Sequence, residues 1–383
     1  MDSVFSSGPQ EGDVVALDAA SPPNVAATAG KAVAAGPVRD CYLDVLRASA
    51  IVMVLTYHVV AMSPVALPGV GAVTHFGAYG VDVFFVLSGW LIGGLYWREQ
   101  RRFGDVRLGR FLPRRWIRTI PPYLVALLLS WLAVRIARHE AFDGRYLLFI
   151  QNYLPVIPFF EVSWSLCVEE HFYLFLPALL WVWTRLKIPA HWLFACLLIT
   201  APVCRAITAR HGLGGGFGYT LTATHLRMEG LILGFWMAYF PSMSPGIWQR
   251  LKQAARWLLI PACLGLACLP LLSDRWMYMA GLTILAVALT TILVCLTGRS
   301  PNRFAASAGV KWVALTSYSV YLTHALVIHV GLMILDRMHS HSLAVYFPLT
   351  IALIAAVGAA FYFVVEWTSL RLRDRVAPRR ARA

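Results

Sequence analysis

The sequence predicts an all-α protein, a polytopic membrane helical bundle of about ten transmembrane helices, and three observations predict it. Of the 383 residues, 59% are hydrophobic and only 14% charged, whereas a soluble domain carries roughly a quarter charged residues. Apolar stretches of about 20 residues, each enough to cross ~30 Å of hydrocarbon, recur along nearly the whole chain after residue 43. The net charge of +14 is gathered into short Lys/Arg segments between those stretches, which is the positive-inside pattern rather than a nucleic-acid surface.

Taken in order, residues 1–38 are rich in Ala, Gly, Ser and Pro, with Asp2, Glu11, Asp13 and Asp18 and no basic start before an apolar core. They read as a disordered cytoplasmic tail and not as a signal peptide. A first span near 44–63 then serves as an uncleaved anchor. Further spans are expected near 78–97, 117–137, 164–184, 190–209, 223–240, 256–272, 276–297, 313–335 and 344–367, so that 39–370 forms the membrane domain and 371–383 a basic tail. Roughly three quarters of the Lys and Arg residues fall on the side of the termini, which puts both termini in the cytoplasm. The seven cysteines lie mostly inside apolar spans without regular spacing, so neither a disulfide framework nor a metal site is expected. The stretch His211-Gly-Leu-Gly-Gly-Gly-Phe-Gly218 lacks the Gly-Lys-Ser/Thr ending of a phosphate loop and reads as a flexible outer loop.

Ionisable side chains inside apolar spans are costly unless paired or hydrated, so each is a candidate for function. Asp44, Arg47 and His58 fall on the first span. The 11-residue step from Arg47 to His58 is three turns plus ~20°, which places both on one face, ~16 Å apart along the axis. Arg47 then lies near the cytoplasmic interface and His58 halfway or more across, where a lone histidine is otherwise a buried imidazole satisfied by a neighbouring helix. On the fourth span, Ser165, Glu169 and Tyr173 share a face beside Trp164. A carboxylate there can orient an imidazole or accept a hydroxyl proton, although the same residues could form an interfacial belt.

Arg227, Glu229, His324 and Glu366 are weaker candidates, each equally an interhelical pair or an anchor. Asp82 stands in a buried-looking segment beside Ser88-Gly89, a pair that lets helices approach closely. The loop 98–118 carries eight arginines. Most enforce topology, but Arg115 and Arg118, one turn apart at the mouth of the third span, suit bidentate binding of phosphate.

These motifs resemble the acyltransferase-3 family of membrane proteins across about residues 39–370. The resemblance rests on Leu43-Asp-Val-Leu-Arg-Ala48 followed by His58; Gly80-Val-Asp-Val-Phe-Phe-Val-Leu-Ser-Gly89; Arg115-x-x-Arg118; Trp164-Ser-Leu-Cys-Val-Glu-Glu-His-Phe-Tyr173; and Ser317-Tyr-Ser-Val-Tyr-Leu-Thr-His324. It implies ten core helices, a cytoplasmic acyl-CoA donor with no permanently bound cofactor, and transfer of an acyl (foremost acetyl) group to a hydroxyl of a carbohydrate, such as a cell-surface polysaccharide in a bacterial inner membrane. It also implies a catalytic role for His58 and places Arg47, Arg115, Arg118 and Glu169 on functional positions. Glu229, His171 and Trp367-Thr368 depart from the family pattern. Some relatives carry a C-terminal esterase-like domain, and its absence here implies that no second domain completes the transfer. A transporter or flippase of a lipid-linked sugar is the alternative, since intramembrane acids and histidines also build proton relays, but no inverted repeat is visible.

Overall fold

A computed structural model describes residues 40–67, 69–211, 219–339 and 342–378; the expected tail 1–38 and all but His211 of the Gly-rich loop lie outside them. Every long element is a helix, and no strand occurs among the described residues. In chain order these are α1 (Cys41–Ala61), α2 (Gly71–Ala78), α3 (Gly80–Phe103), α4 (Leu108–Arg138), α5 (Trp164–Arg185), α6 (Ala190–Arg210), α7 (Tyr219–Thr222), α8 (Thr224–Arg227), α9 (Glu229–Met237), α10 (Tyr239–Met243), α11 (Pro245–Cys268), α12 (Asp274–Trp276), α13 (Leu282–Leu296), α14 (Ala308–Arg337), α15 (Leu343–Phe361) and α16 (Trp367–Val376).

The helices begin and end where local chemistry dictates. Asp40 caps α1 by accepting from the Tyr42 amide at 3.0 Å, and Ser307 caps α14 through the Val310 amide at 3.3 Å, each satisfying an amide that the helix leaves orphaned. Gly104, with φ of 74°, ends α3 in the left-handed conformation that glycine adopts without penalty. On the α4–α5 connection, Asp143 caps a short turn and bonds the Arg145 side chain at 3.0 Å; that hydrogen bond holds its carboxyl below the usual carboxylate range.

Nine helical stretches among the described residues are long and apolar enough to cross a membrane. The chain is an integral membrane protein. The sixth expected span, 223–240, differs: it is not one continuous helix but the succession α8, α9 and α10, interrupted at Met228 and Ala238. The last apolar helix also runs further than expected, through a π-helical turn at Tyr362–Glu366 and on to Val376, so 371–376 are helical.

The core lies where α3 packs along α9. Leu231, Ile232 and Phe235 of α9 are fully buried, and the close approach is possible because glycines face backbone. A Cβ at Gly89 would collide with the Leu231 carbonyl, and one at Gly234 with the Val86 carbonyl. Packing of this kind drives helix association in lipid, where the hydrophobic effect cannot. Around this pair α1 packs on α14 and α3, α14 on α15, and α11 on α13. The Tyr346 hydroxyl of α15 donates to the Val59 carbonyl at 2.7 Å and so pins the end of α1.

Gly89→Ala is therefore expected to lower stability by ~1–3 kcal/mol, the usual cost of overpacking. Gly109→Ala, whose Cβ meets nothing within 4 Å, should be neutral. Thermal unfolding of both in detergent checks this, and equal melting temperatures would remove the close-approach argument.

Candidate functional site

Two cavities lie at opposite ends of the bundle. The first, about 400 Å³, is lined by six arginines (Arg47, Arg110, Arg114, Arg115, Arg118 and Arg373), by Glu99 and Glu169, and by an apolar wall that includes Phe84, Leu91 and Leu95. All these arginines come from helix ends on the side of the 98–118 loop. The second, about 360 Å³, is lined by His58, Asp82, Glu161, Arg227 and Asp274 among aromatic side chains that include Tyr57, Tyr79 and Trp164. Its wall also contains Met277 and Tyr278 from a π-helical turn at Met277–Gly281, a distortion often found at functional sites.

In the arginine-lined cavity, Glu169 is the hub. It accepts from Ser88 Oγ at 2.8 Å, from Arg115 Nη2 at 3.0 Å and from the Tyr173 hydroxyl at 2.7 Å. Arg115 also bonds the Tyr173 hydroxyl at 2.5 Å and lies 4.2 Å from its ring centroid. Through Nη2 Arg115 thus holds Glu169 and Tyr173, and its side chain also lines the cavity. Arg110 and Arg114 donate to the carbonyls of Pro378 and Ala377, and Arg114 pairs with Asp374. Arg118 makes no hydrogen bond or ion pair among the described residues, with Glu366 as the acid in electrostatic reach. Arg47 lies 3.8 Å from Asp44, and Glu366 accepts from Ser319 Oγ at 2.5 Å.

In the other cavity, His58 Nδ1 is 2.9 Å from the Val54 carbonyl. A carbonyl only accepts, so Nδ1 carries the hydrogen and Nε2 keeps its lone pair. The His324 ring lies 4.8 Å from that of His58. Its Nδ1 is likewise spent on a backbone carbonyl, that of Tyr321 at 2.7 Å, and its Nε2 is buried without a partner among the described residues. Arg227 Nη2 bonds both Asp82 oxygens at 3.0 and 3.1 Å, and the Arg227 Cζ sits 5.3 Å from the Trp164 ring centroid.

The structure therefore separates residues that the sequence reading treats together. Arg47 and His58 share a face of α1 but belong to different cavities, while Ser165, Glu169, Arg115 and Arg118 fall with Arg47. Trp164, Asp82 and Arg227 fall with His58, and His324 stands behind it. Tyr173 supports Glu169. Glu229 reaches neither cavity: it pairs at 2.5 and 2.9 Å with Arg205, which is fully buried and also bonds the Leu226 carbonyl and Thr283 Oγ1, both at 2.7 Å. His171 bonds Thr224 Oγ1 at 2.7 Å, away from His58. Sequence reasoning missed Arg205, although an arginine within an apolar span was signal enough, and it missed Ser88 and Tyr321.

Fold and site define a polytopic membrane protein with an arginine-lined cavity at one end and a histidine-bearing one at the other. The family model describing an acyltransferase domain matches residues 41–365, and the chain belongs to the acyltransferase-3 family. It is similar to the O-acetyltransferase OatA of Staphylococcus aureus (strain NCTC 8325 / PS 47), 26% identical over 315 residues, covering 74% of this chain and 49% of that protein. A second similarity, 31% over 155 residues, covers 36% of this chain and 24% of a candidate O-acetyltransferase of Staphylococcus aureus (strain COL). The chain thus spans about half the length of the first of these relatives. No solved structure matches it.

Breaking the Arg205–Glu229 pair from one side leaves a buried charge uncompensated, so Arg205→Met is expected to cost ~3–5 kcal/mol, whereas Arg205→Met with Glu229→Leu should recover most of it. Melting temperatures of the single and double variants in detergent test this; a double variant no better than the single would show that the pair is not the point of coupling.

Proposed function

We propose that this protein transfers an acyl group, foremost acetyl, from cytoplasmic acyl-CoA to a hydroxyl of a carbohydrate on the far side of a bacterial inner membrane. One observation carries the reading: the arginine-lined cavity and the His58 cavity open from opposite ends of the bundle and share a wall. Six arginines against two carboxylates suit a ligand with several phosphates, and the apolar wall beyond them suits its uncharged arm. Aromatic faces beside hydrogen-bonding carboxylates suit a sugar ring.

In the reaction, the acceptor hydroxyl loses its proton to His58 Nε2 while its oxygen attacks the thioester carbon. The C–S bond breaks, an ester forms, and the imidazolium returns the proton to the CoA sulfur as thiol leaves. Neutral imidazole is the side chain able to take and return a proton near neutral pH. Arg47 and Arg118 hold phosphates. Arg115, Ser88 and Tyr173 fix Glu169 at the edge of the donor cavity.

The reading is tested by acyl transfer to glycan in cells and in proteoliposomes. His58→Ala should reach the membrane at the level of the unaltered protein and transfer nothing; substantial transfer by His58→Ala would move the base elsewhere. Arg118→Gln should raise the donor KM roughly 10–150-fold, the equivalent of ~1.5–3 kcal/mol for a charge-assisted bond. Arg115→Gln should instead lower kcat, because it releases Glu169. With both termini cytoplasmic, a cysteine at Asp105 on a cysteine-free background should be labelled only from the cytoplasm, and labelling from outside alone would invert the donor side.

A further inference from the structure

The two cavities are set back to back, and among the described residues they share only Val81 and Tyr321 in their linings. Val81 stands on the first turn of α3 and Tyr321 in the middle of α14, both buried. The Tyr321 hydroxyl donates to the Val162 carbonyl at 2.9 Å and lies 2.6 Å from Ser165 Oγ. Ser165 lines the arginine cavity and Val162 the other, so the hydroxyl is tied to the rims of both. The ring rests edge-on against Phe84, with centroids 6.0 Å apart, and 5.7 Å from His324. His58 belongs to one cavity alone, Arg47 and Arg118 to the other alone. A molecule held by the arginines therefore cannot bring its far end to His58 without passing the Tyr321 ring.

We infer that Tyr321 is a gate between the two cavities, latched by Ser165 and Val162, with Val81 as the opposing jamb. Latched, it keeps water and polar solutes from crossing the bundle and keeps the reacting end of a donor away from His58. Swung aside, it joins the cavities into one path. The latch suits this task, because two neutral hydrogen bonds are a modest hold that binding of a ligand can overcome. Tyr321 is a positioning residue here and takes no proton. The functional meaning of the gate rests on the acyl-transfer reading; the barrier itself does not.

The test uses the full chain in proteoliposomes on a cysteine-free background, with single reporters Leu91→Cys in the arginine cavity and Tyr79→Cys in the His58 cavity, and a charged, membrane-impermeant methanethiosulfonate applied to one face at a time. With Tyr321 intact, Leu91→Cys should be modified only from the face of the 98–118 loop and Tyr79→Cys only from the opposite face. With Tyr321→Ala, Leu91→Cys should become modifiable from both faces. Tyr321→Phe and Ser165→Ala, which keep the ring and remove latch bonds, should allow slower modification from the second face and serve if the alanine variant does not fold. Modification of Leu91→Cys from both faces with Tyr321 intact would overturn the gate, as would one-sided modification in all three variants. Because the reagent needs neither donor nor acceptor, one-sided labelling that Tyr321→Ala abolishes, in a protein that transfers no acyl group, would uphold the gate and sink the acyl-transfer reading instead.

Discussion

The structure depends on the requirement that charge inside an apolar bundle be neutralised locally. Asp82, Arg205, Arg227 and Glu229 are all buried, and an unpaired ion at such depth costs several kcal/mol. The interruption at Met228 meets the requirement. It sets Arg227 toward Asp82 on α3 and Glu229 toward Arg205 on α6 and Thr283 on the α13 side, and it leaves the Leu226 carbonyl for Arg205. Two ion pairs on either side of Met228 thus tie the α8–α9 junction to helices on different sides. The glycine contacts between α3 and α9 follow from the same clamp, and so does the polar wall of the His58 cavity, since Asp82 and Arg227 form part of it.

At the other end the same requirement is met by unequal means. Arg110 and Arg114 use carbonyls near the end of α16, Arg115 uses Glu169 and Tyr173, and Arg373 pairs with Asp374. Arg118 is left without hydrogen bond or ion pair among the described residues, beside a cavity. A cation whose charge is already matched holds its partner in place; one whose charge is unmatched has most to gain from an incoming anion. Arg115 and Arg118 are one helical turn apart and identical in type, yet only Arg115 is tied to Glu169 and Tyr173; on the proposed reading the two divide positioning from binding.

Much of this was legible in the sequence, because apolar length and charge placement are one-dimensional properties. The spans other than 223–240, the shared face of Arg47 and His58, and the cluster of Ser165, Glu169 and Tyr173 all follow from helical periodicity. The interruption at Met228 did not, because Glu-Gly-Leu-Ile-Leu-Gly-Phe-Trp after Arg227-Met228 contains no proline and has an unbroken apolar pattern; the break is set by where Asp82 and Arg205 stand in other helices. The unlike surroundings of Arg115 and Arg118 were hidden for the same reason, their spacing being symmetrical and their partners not. Tyr321 lay inside a quoted motif, but its place between two cavities is a long-range property of α3, α5 and α14 together.

The first helix gives the site its scale. Arg47 lines one cavity and His58 the other, and α1 is unbroken between them, so the rise of 11 residues fixes ~16 Å along the helix between Arg47 and His58. A compact donor could not occupy both. On the proposed reading the donor has its phosphates at one end of a flexible arm and its thioester at the other, so binding energy from the phosphates can be used to thread the reactive end past Tyr321. A rigid helix as spacer then does what a loop could not: it keeps the distance between the two ends constant while the wall between them moves.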